Sequence, residues 1–262
     1  ARAAGLDVRL AQSEVTKLAL YCDADPQSPR PATPEDHAAR VDALLWQGKA
    51  DAASRQIIYL AEADRPMALA RLSLLRHSRP DEAGITAPAS AMSDPGFVYN
   101  LVNFLRASGQ NAEAVRVLAT GPNFTRPALD PEDFVADMLA LAKSGTAREA
   151  ALIAARVDNL FAPGEDVSKT SFTLRDRYTD LVWLGGTKAL WSLGDGAAAA
   201  PLFRRYGDAA RTPLTKAGRG AFNNTTGATL GAFSIRAAVE RAGLEGGEID
   251  DVVMGCAVQQ GS

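Results

Sequence analysis

Four glycines set the strongest constraint on the fold. Gly48, Gly109, Gly145 and Gly194 each close an apolar stretch of helical composition, and each is followed five residues on by an alanine: Ala53, Ala114, Ala150 and Ala199. A glycine just past a helix supplies the left-handed C-terminal cap. A short turn and a second helix then follow, with a small side chain facing the first. The sequence therefore predicts helix–turn–helix pairs. Intervals of 61, 36 and 49 residues between the glycines are irregular, but suit tetratricopeptide-like hairpins of about 34 residues carrying insertions. Fifty alanines among 262 residues support this reading, because alanine loses no side-chain entropy in a helix and lets helices approach closely. Aromatic residues are only 6%, and alternating β-branched runs are nearly absent before residue 245. The expected fold class is all-α: a superhelical solenoid of antiparallel helix pairs over residues 1–210, with a short α/β-like C-terminal tail over residues 211–262.

Proline marks the breaks. Thr33 is expected to cap a helix that starts at Pro34, and Asp130 to cap one that starts at Pro131. Arg79 to Pro95 reads as a long connection or short helix, and Phe161 to Ser171 as a loop. Arg175 to Leu193 reads as one amphipathic helix, with Tyr178, Leu181, Val182, Gly185 and Ala189 on one face.

Several function classes are disfavoured. A net charge of −3 gives no overall attraction to nucleic acid or anionic lipid, and no apolar run is long enough to cross a membrane. Cys22 and Cys256 cannot build a disulfide framework, and read as isolated thiols. His37 and His77 lack partners at metal-ligand spacing; His77 sits near a helix end, where a cation suits the dipole. Trp46, Trp183 and Trp191 could stack on sugar rings, but their apolar context makes core packing the expected role. Arg204-Arg205 reads as a solvated face, and Glu132-Asp133 as a dipole-matched helix start. Gly218 to Gly220 and Gly227 to Gly231 lack the order of a phosphate loop. No catalytic, cofactor-binding or metal-binding residue is assigned, and no cofactor is expected. The chain starts at Ala1 with no charged-then-apolar leader, so a processed or excised form is expected.

Two resemblances follow. Asp176 to Leu190, then Leu193-Gly194-Asp195, then Ala200 to Arg205, resembles the superhelical N-terminal region of soluble lytic murein transglycosylases, as does Arg40 to Gly48; the likeness covers about residues 30–210. It implies a periplasmic protein whose partners are peptidoglycan glycan strands or a cell-wall protein. Those enzymes cleave between N-acetylmuramic acid and N-acetylglucosamine with one glutamate, set in a Glu-Ser dipeptide of a later domain. This chain has no Glu-Ser, so a non-catalytic scaffold is implied, with a generic helical-repeat interaction module as the alternative.

Residues 211–262 resemble the N-terminal end of a thiolase, an acyl-CoA acetyltransferase. The likeness rests on Arg211-Thr212-Pro213-Leu214-Thr215-Lys216, Gly220-Ala221-Phe222, a helix from about Thr229 to Ala242 ended by Gly243, and a short strand Ile249 to Ala257. Cys256 matches the family's M-G-C-A segment, not its nucleophile. Without sheet partners the tail is expected to be disordered, to pack opportunistically, or to be a wrong sequence. The two likenesses meet at Thr212-Pro213. A natural fusion there would truncate both enzymes, so a join made in cloning, gene prediction or assembly is expected.

Overall fold

The computed structural model describes residues 32–210, 227–249 and 251–253. The described residues are all-α, and the chain divides into two compact units, residues 1–209 and 210–262. Among the described residues of the first, nine helices follow in order: α1 (Pro34–Trp46), α2 (Ala50–Gln56), α3 (Arg65–Leu75), α4 (Pro95–Ala107), α5 (Asn111–Thr120), α6 (Pro131–Ser144), α7 (Ala147–Ala155), α8 (Phe172–Thr187) and α9 (Gly196–Ala209). Each packs on the next in sequence, and α1, α5, α6 and α7 also pack on the next but one. That is the neighbour pattern of stacked helix pairs.

The caps account for the boundaries. Thr33 closes a capping box with Asp36 ahead of α1, and Asp130 accepts from Asp133 N at the start of α6. Each cap satisfies amide donors that the first helical turn leaves without partners. Gly48, Gly109 and Gly194 have the expected left-handed φ of 68°, 73° and 67°. Gly145 differs. Its backbone is extended, with φ −82° and ψ 175°, because Thr146 begins α7 at once with its own capping box to Glu149. One more left-handed turn carries no glycine: His77, at φ 61°, lets Ser78 N donate to Ser73 O at 3.0 Å. The same six-residue bond follows Gly48 (Lys49 N to Leu44 O) and Gly109 (Gln110 N to Leu105 O). His77 therefore closes α3 by its backbone conformation.

All four alanines that follow the turn glycines are buried, none more than 1% exposed. The main core gathers Phe134, Val135, Leu105, Val102, Ile153, Leu181 and their neighbours from α3 to α9. A smaller cluster of Val41, Leu45, Ile57 and Leu72 joins α1, α2 and α3. In α8 the expected face is buried, and a Cβ on Gly185 would collide with Ala154 Cβ of α7. The helix expected to run to Leu193 instead widens into a π-helical turn over Lys188–Ser192.

In the second unit, α10 (Gly227–Ala242) ends at Gly243, whose φ is 66°. A 3₁₀ turn follows at Gly246–Glu248. The expected strand is not formed by its described residues: Ile249 and residues 251–253 have no ladder, and Val253 is 94% exposed. A strand needs a partner to bond its amides, and the described residues offer none. The rest of that stretch lies outside the described residues.

Candidate functional site

Between α1 and α3 lies an open cleft of about 350 Å³ with a charged end. Arg71 of α3, 3% exposed, donates from Nη1 to Asp42 Oδ1 at 2.5 Å and from Nε to Asn100 Oδ1 at 2.8 Å. Asn100 of α4 is itself buried and donates from Nδ2 to Leu45 O, in the last turn of α1. Arg126, from the loop before α6, reaches Asp42 Oδ2 at 2.8 Å and Asp94 Oδ2 at 2.8 Å. Asp94 also caps α4 by accepting from Phe97 N. A Cβ on Gly96 would stand 2.5 Å from Arg71 Cζ, so a larger residue there would displace the guanidinium from this position. Burial pushes the Asp42 carboxyl up, but Arg71 and then Arg126 outweigh it and hold it below the usual value. The network ties α1, α3, α4 and the loop together. Each charge in it faces an opposite one, which is what a buried ion needs.

A second cleft, of about 450 Å³, opens between the loop 121–130 and the segment 157–167. Its walls are pinned. Ala128 N donates to Leu160 O at 2.9 Å, and Thr125 N to Ser93 O at 2.9 Å. Arg156 Nη2 donates to Pro122 O at 2.5 Å. Asn159 Nδ2 donates to Asn123 Oδ1 at 3.2 Å. Asp158 at the rim accepts the Tyr178 hydroxyl at 2.6 Å and pairs with Arg205 Nε at 2.8 Å. Burial, then that hydrogen bond, pushes the Tyr178 phenol up. Arg126 lines both clefts.

The tryptophans separate. Trp46 is buried as expected, stacked on Tyr99 with centroids 4.6 Å apart. Trp183 is 41% exposed and meets Phe203 and Tyr206 edge-on or tilted. Trp191 is not a core residue. It is 71% exposed on the π-helical turn, beside the half-exposed Leu190 and Leu193. Apolar neighbours suggest a core role for Trp191, but at 3.6 residues per turn it falls opposite the Tyr178–Ala189 face, and on the π turn it stays exposed.

Other expected positions resolve in detail. Arg205 is no free surface cation: besides Asp158 it bonds Ala155 O at 3.0 Å. Arg204 is exposed. Glu132 and Asp133 begin α6 but also receive Arg177 of α8, with Asp133 at 3.4 Å, and Glu132 accepts the Ser171 hydroxyl at 2.5 Å. His37 stacks on Tyr59. Among the described residues no group of His, Cys, Asp or Glu could hold a metal ion, and no helix is long and apolar enough to cross a membrane. Cys22, Cys256 and Gly218 to Gly220 lie outside the described residues. Sequence reasoning missed the Arg71 network, because its members are 29 to 84 residues apart. The one local signal was Asp94 before Pro95, the mark of a helix cap.

Comparison with known proteins bears on the second unit. The thiolase N-terminal domain family matches residues 207–262. A curated acetyl-CoA acetyltransferase of Rhizobium meliloti (strain 1021) is 56% identical over 36 residues, 14% of this chain and 9% of that protein. The chain thus spans under a tenth of the length of that relative. No solved structure matches the chain. The tail is similar to the start of a thiolase.

Proposed function

We propose that the first unit, taken as residues 1–210, is a non-catalytic superhelical scaffold of a peptidoglycan-processing protein in the periplasm, which binds or positions a glycan strand or a cell-wall protein partner. The observation that carries this reading is Trp191, an indole 71% exposed on a π-helical turn. An exposed indole face offers apolar contact to the C–H face of a sugar ring and a polar edge to water. The turn that presents it, with Leu193-Gly194-Asp195, belongs to the block that resembles the transglycosylases. The described residues carry two pinned clefts and a charge network of compensated pairs, which suits binding more than acid–base chemistry. The test is retention on purified murein sacculi. The intact chain should be retained, and Trp191→Ala should lose at least half of that retention with its unfolding midpoint unchanged. Equal retention of both proteins would overturn the reading.

The family match at residues 207–262 favours a second reading for the tail, a fragment of an acyl-CoA acetyltransferase. Acyl-CoA cleavage above background would support it; we expect none. We infer also that the two parts were joined artificially near Thr212-Pro213. Tryptic peptides matching the written sequence across Phe203 to Arg236 would overturn that inference.

A further inference from the structure

In the first cleft the charges of the network cancel, but its hydrogen bonds do not. Asp42 and Asp94 offset Arg71 and Arg126. A guanidinium carries five N–H donors. Arg71 spends Nε on Asn100 and Nη1 on Asp42, while its Nη2 is buried with no hydrogen-bond partner among the described residues. Arg126 spends Nε on Asp94, and one bond each from Nη1 and Nη2 on Asp42, so each of those two nitrogens keeps one N–H. The Arg126 side chain is 38% exposed. Unfilled donors are costly to bury, so this end of the cleft favours an acceptor from outside. The other end is acidic. Asp64, just ahead of α3, is exposed and makes no cap bond. Its neighbour Arg65 is turned to other acceptors, Leu60 O and Ile58 O. Asp64 and Arg71 are seven residues apart, which puts them on one face of α3 and about 10 Å apart along its axis. Met67 and Ala68 line the cleft between them, and Ala38, Val41 and Leu45 line it from one face of α1. The cleft therefore presents a carboxylate, an apolar floor and spare guanidinium donors, in that order.

A ligand that answers all three carries a cation, an apolar body and an anionic acceptor. A fatty acid brings no cation to Asp64, and an inorganic anion brings nothing to the apolar floor. An extended peptide of three residues spans about 10 Å, sets its first and third side chains on one face, and ends in an ammonium and a carboxylate. Charge-assisted bonds at its two ends are the strong kind. The cleft volume of about 350 Å³ falls in the range of small-molecule sites. We propose that this cleft binds a short apolar peptide of about three residues, with its ammonium at Asp64 and its carboxylate at Arg71 and Arg126. The inference is independent of the murein reading of Trp191.

The experiment titrates the full chain by calorimetry with Leu-Ala-Leu, with its N-acetylated and C-amidated forms and with octanoate, and repeats the peptides on Asp64→Asn. Saturable binding of the free tripeptide is expected, weakened at least tenfold by amidation and at least fivefold by acetylation. Asp64→Asn should weaken the free peptide as much as acetylation does, and should not weaken the acetylated peptide further. Asp64 is exposed, so an unchanged thermal midpoint is expected, and the modified peptides test the site with no substitution at all. No saturable binding, equal affinity for the amidated form, or losses from acetylation and Asp64→Asn that simply multiply, overturns the proposal. Octanoate bound as tightly as the tripeptide overturns it in favour of an acyl-chain site.

Discussion

Helices α8 and α10 have the same length, 16 residues each, and both mix small, apolar and charged residues. Their fates differ. α8 buries Leu174, Tyr178, Thr179, Leu181, Val182, Gly185 and Gly186. None of the described side chains of α10 is buried, and Phe233 is 58% exposed. Helical pattern alone specifies a helix; the stability of a helix in a protein comes from the partner its apolar face meets. α8 has α6, α7 and α9 as partners. The segment that holds α10 matches the opening of a much larger protein, and its described residues supply no comparable partner surface.

The sharpest way to break the comparison is one substitution made in both units. Phe134→Ala, at a position with no exposure, should cost about 3–5 kcal/mol in chemical denaturation. Phe233→Ala should change stability by less than about 0.5 kcal/mol. Similar losses at both sites would mean that α10 has a core of its own.

Nearly as large is the effect expected at the charge network. Asp42→Ala leaves the buried Arg71 without its carboxylate, and should cost about 3–5 kcal/mol. The same pair predicts a pH dependence. The Asp42 carboxyl titrates below its ordinary value when folded, so its stabilisation is complete above the unfolded value of about 4. It is lost as pH falls through the folded value. Unfolding free energy measured from pH 6 downward should fall less steeply in Asp42→Asn than in the parent chain; equal slopes would remove the network from the account.

Close helix approach should show a smaller effect. Gly185→Ala places a methyl against Ala154 of α7, and should cost about 1–3 kcal/mol. Gly48→Ala, at φ 68° with open space around it, should cost about 1–2 kcal/mol from backbone strain alone. Gly145→Ala has no such strain and should cost less, reading only the contacts with Val115 Cγ1 at 3.2 Å and Glu149 Cβ and Oε2 at 3.3 Å. A loss at Gly145 equal to that at Gly48 would show that the turns are alike after all.

Much of the first unit was legible in the sequence. Glycine and proline report backbone conformation directly, so Thr33, Asp130, Gly48, Gly109 and Gly194 mark boundaries through local chemistry. The turn at His77 was illegible, because histidine takes the left-handed conformation only where the surrounding chain enforces it. Trp191 misled for a different reason. Its apolar neighbours Leu190 and Leu193 suggest a core role, yet at 3.6 residues per turn it falls opposite the Tyr178–Ala189 face and is exposed.

The clefts lay further out of reach. Asn123 and Asn159 look like ordinary loop and turn residues, 36 positions apart. Arg126 meets Asp42 across 84 positions, and no local pattern records that pairing. The sequence by itself determined the helices, their caps and the buried alanines, because these depend on backbone preference and on neighbours within one turn. Only the tertiary structure decided which charges are compensated, which indole faces water and which helix finds a partner. Each of those outcomes depends on desolvation by residues far away in the chain.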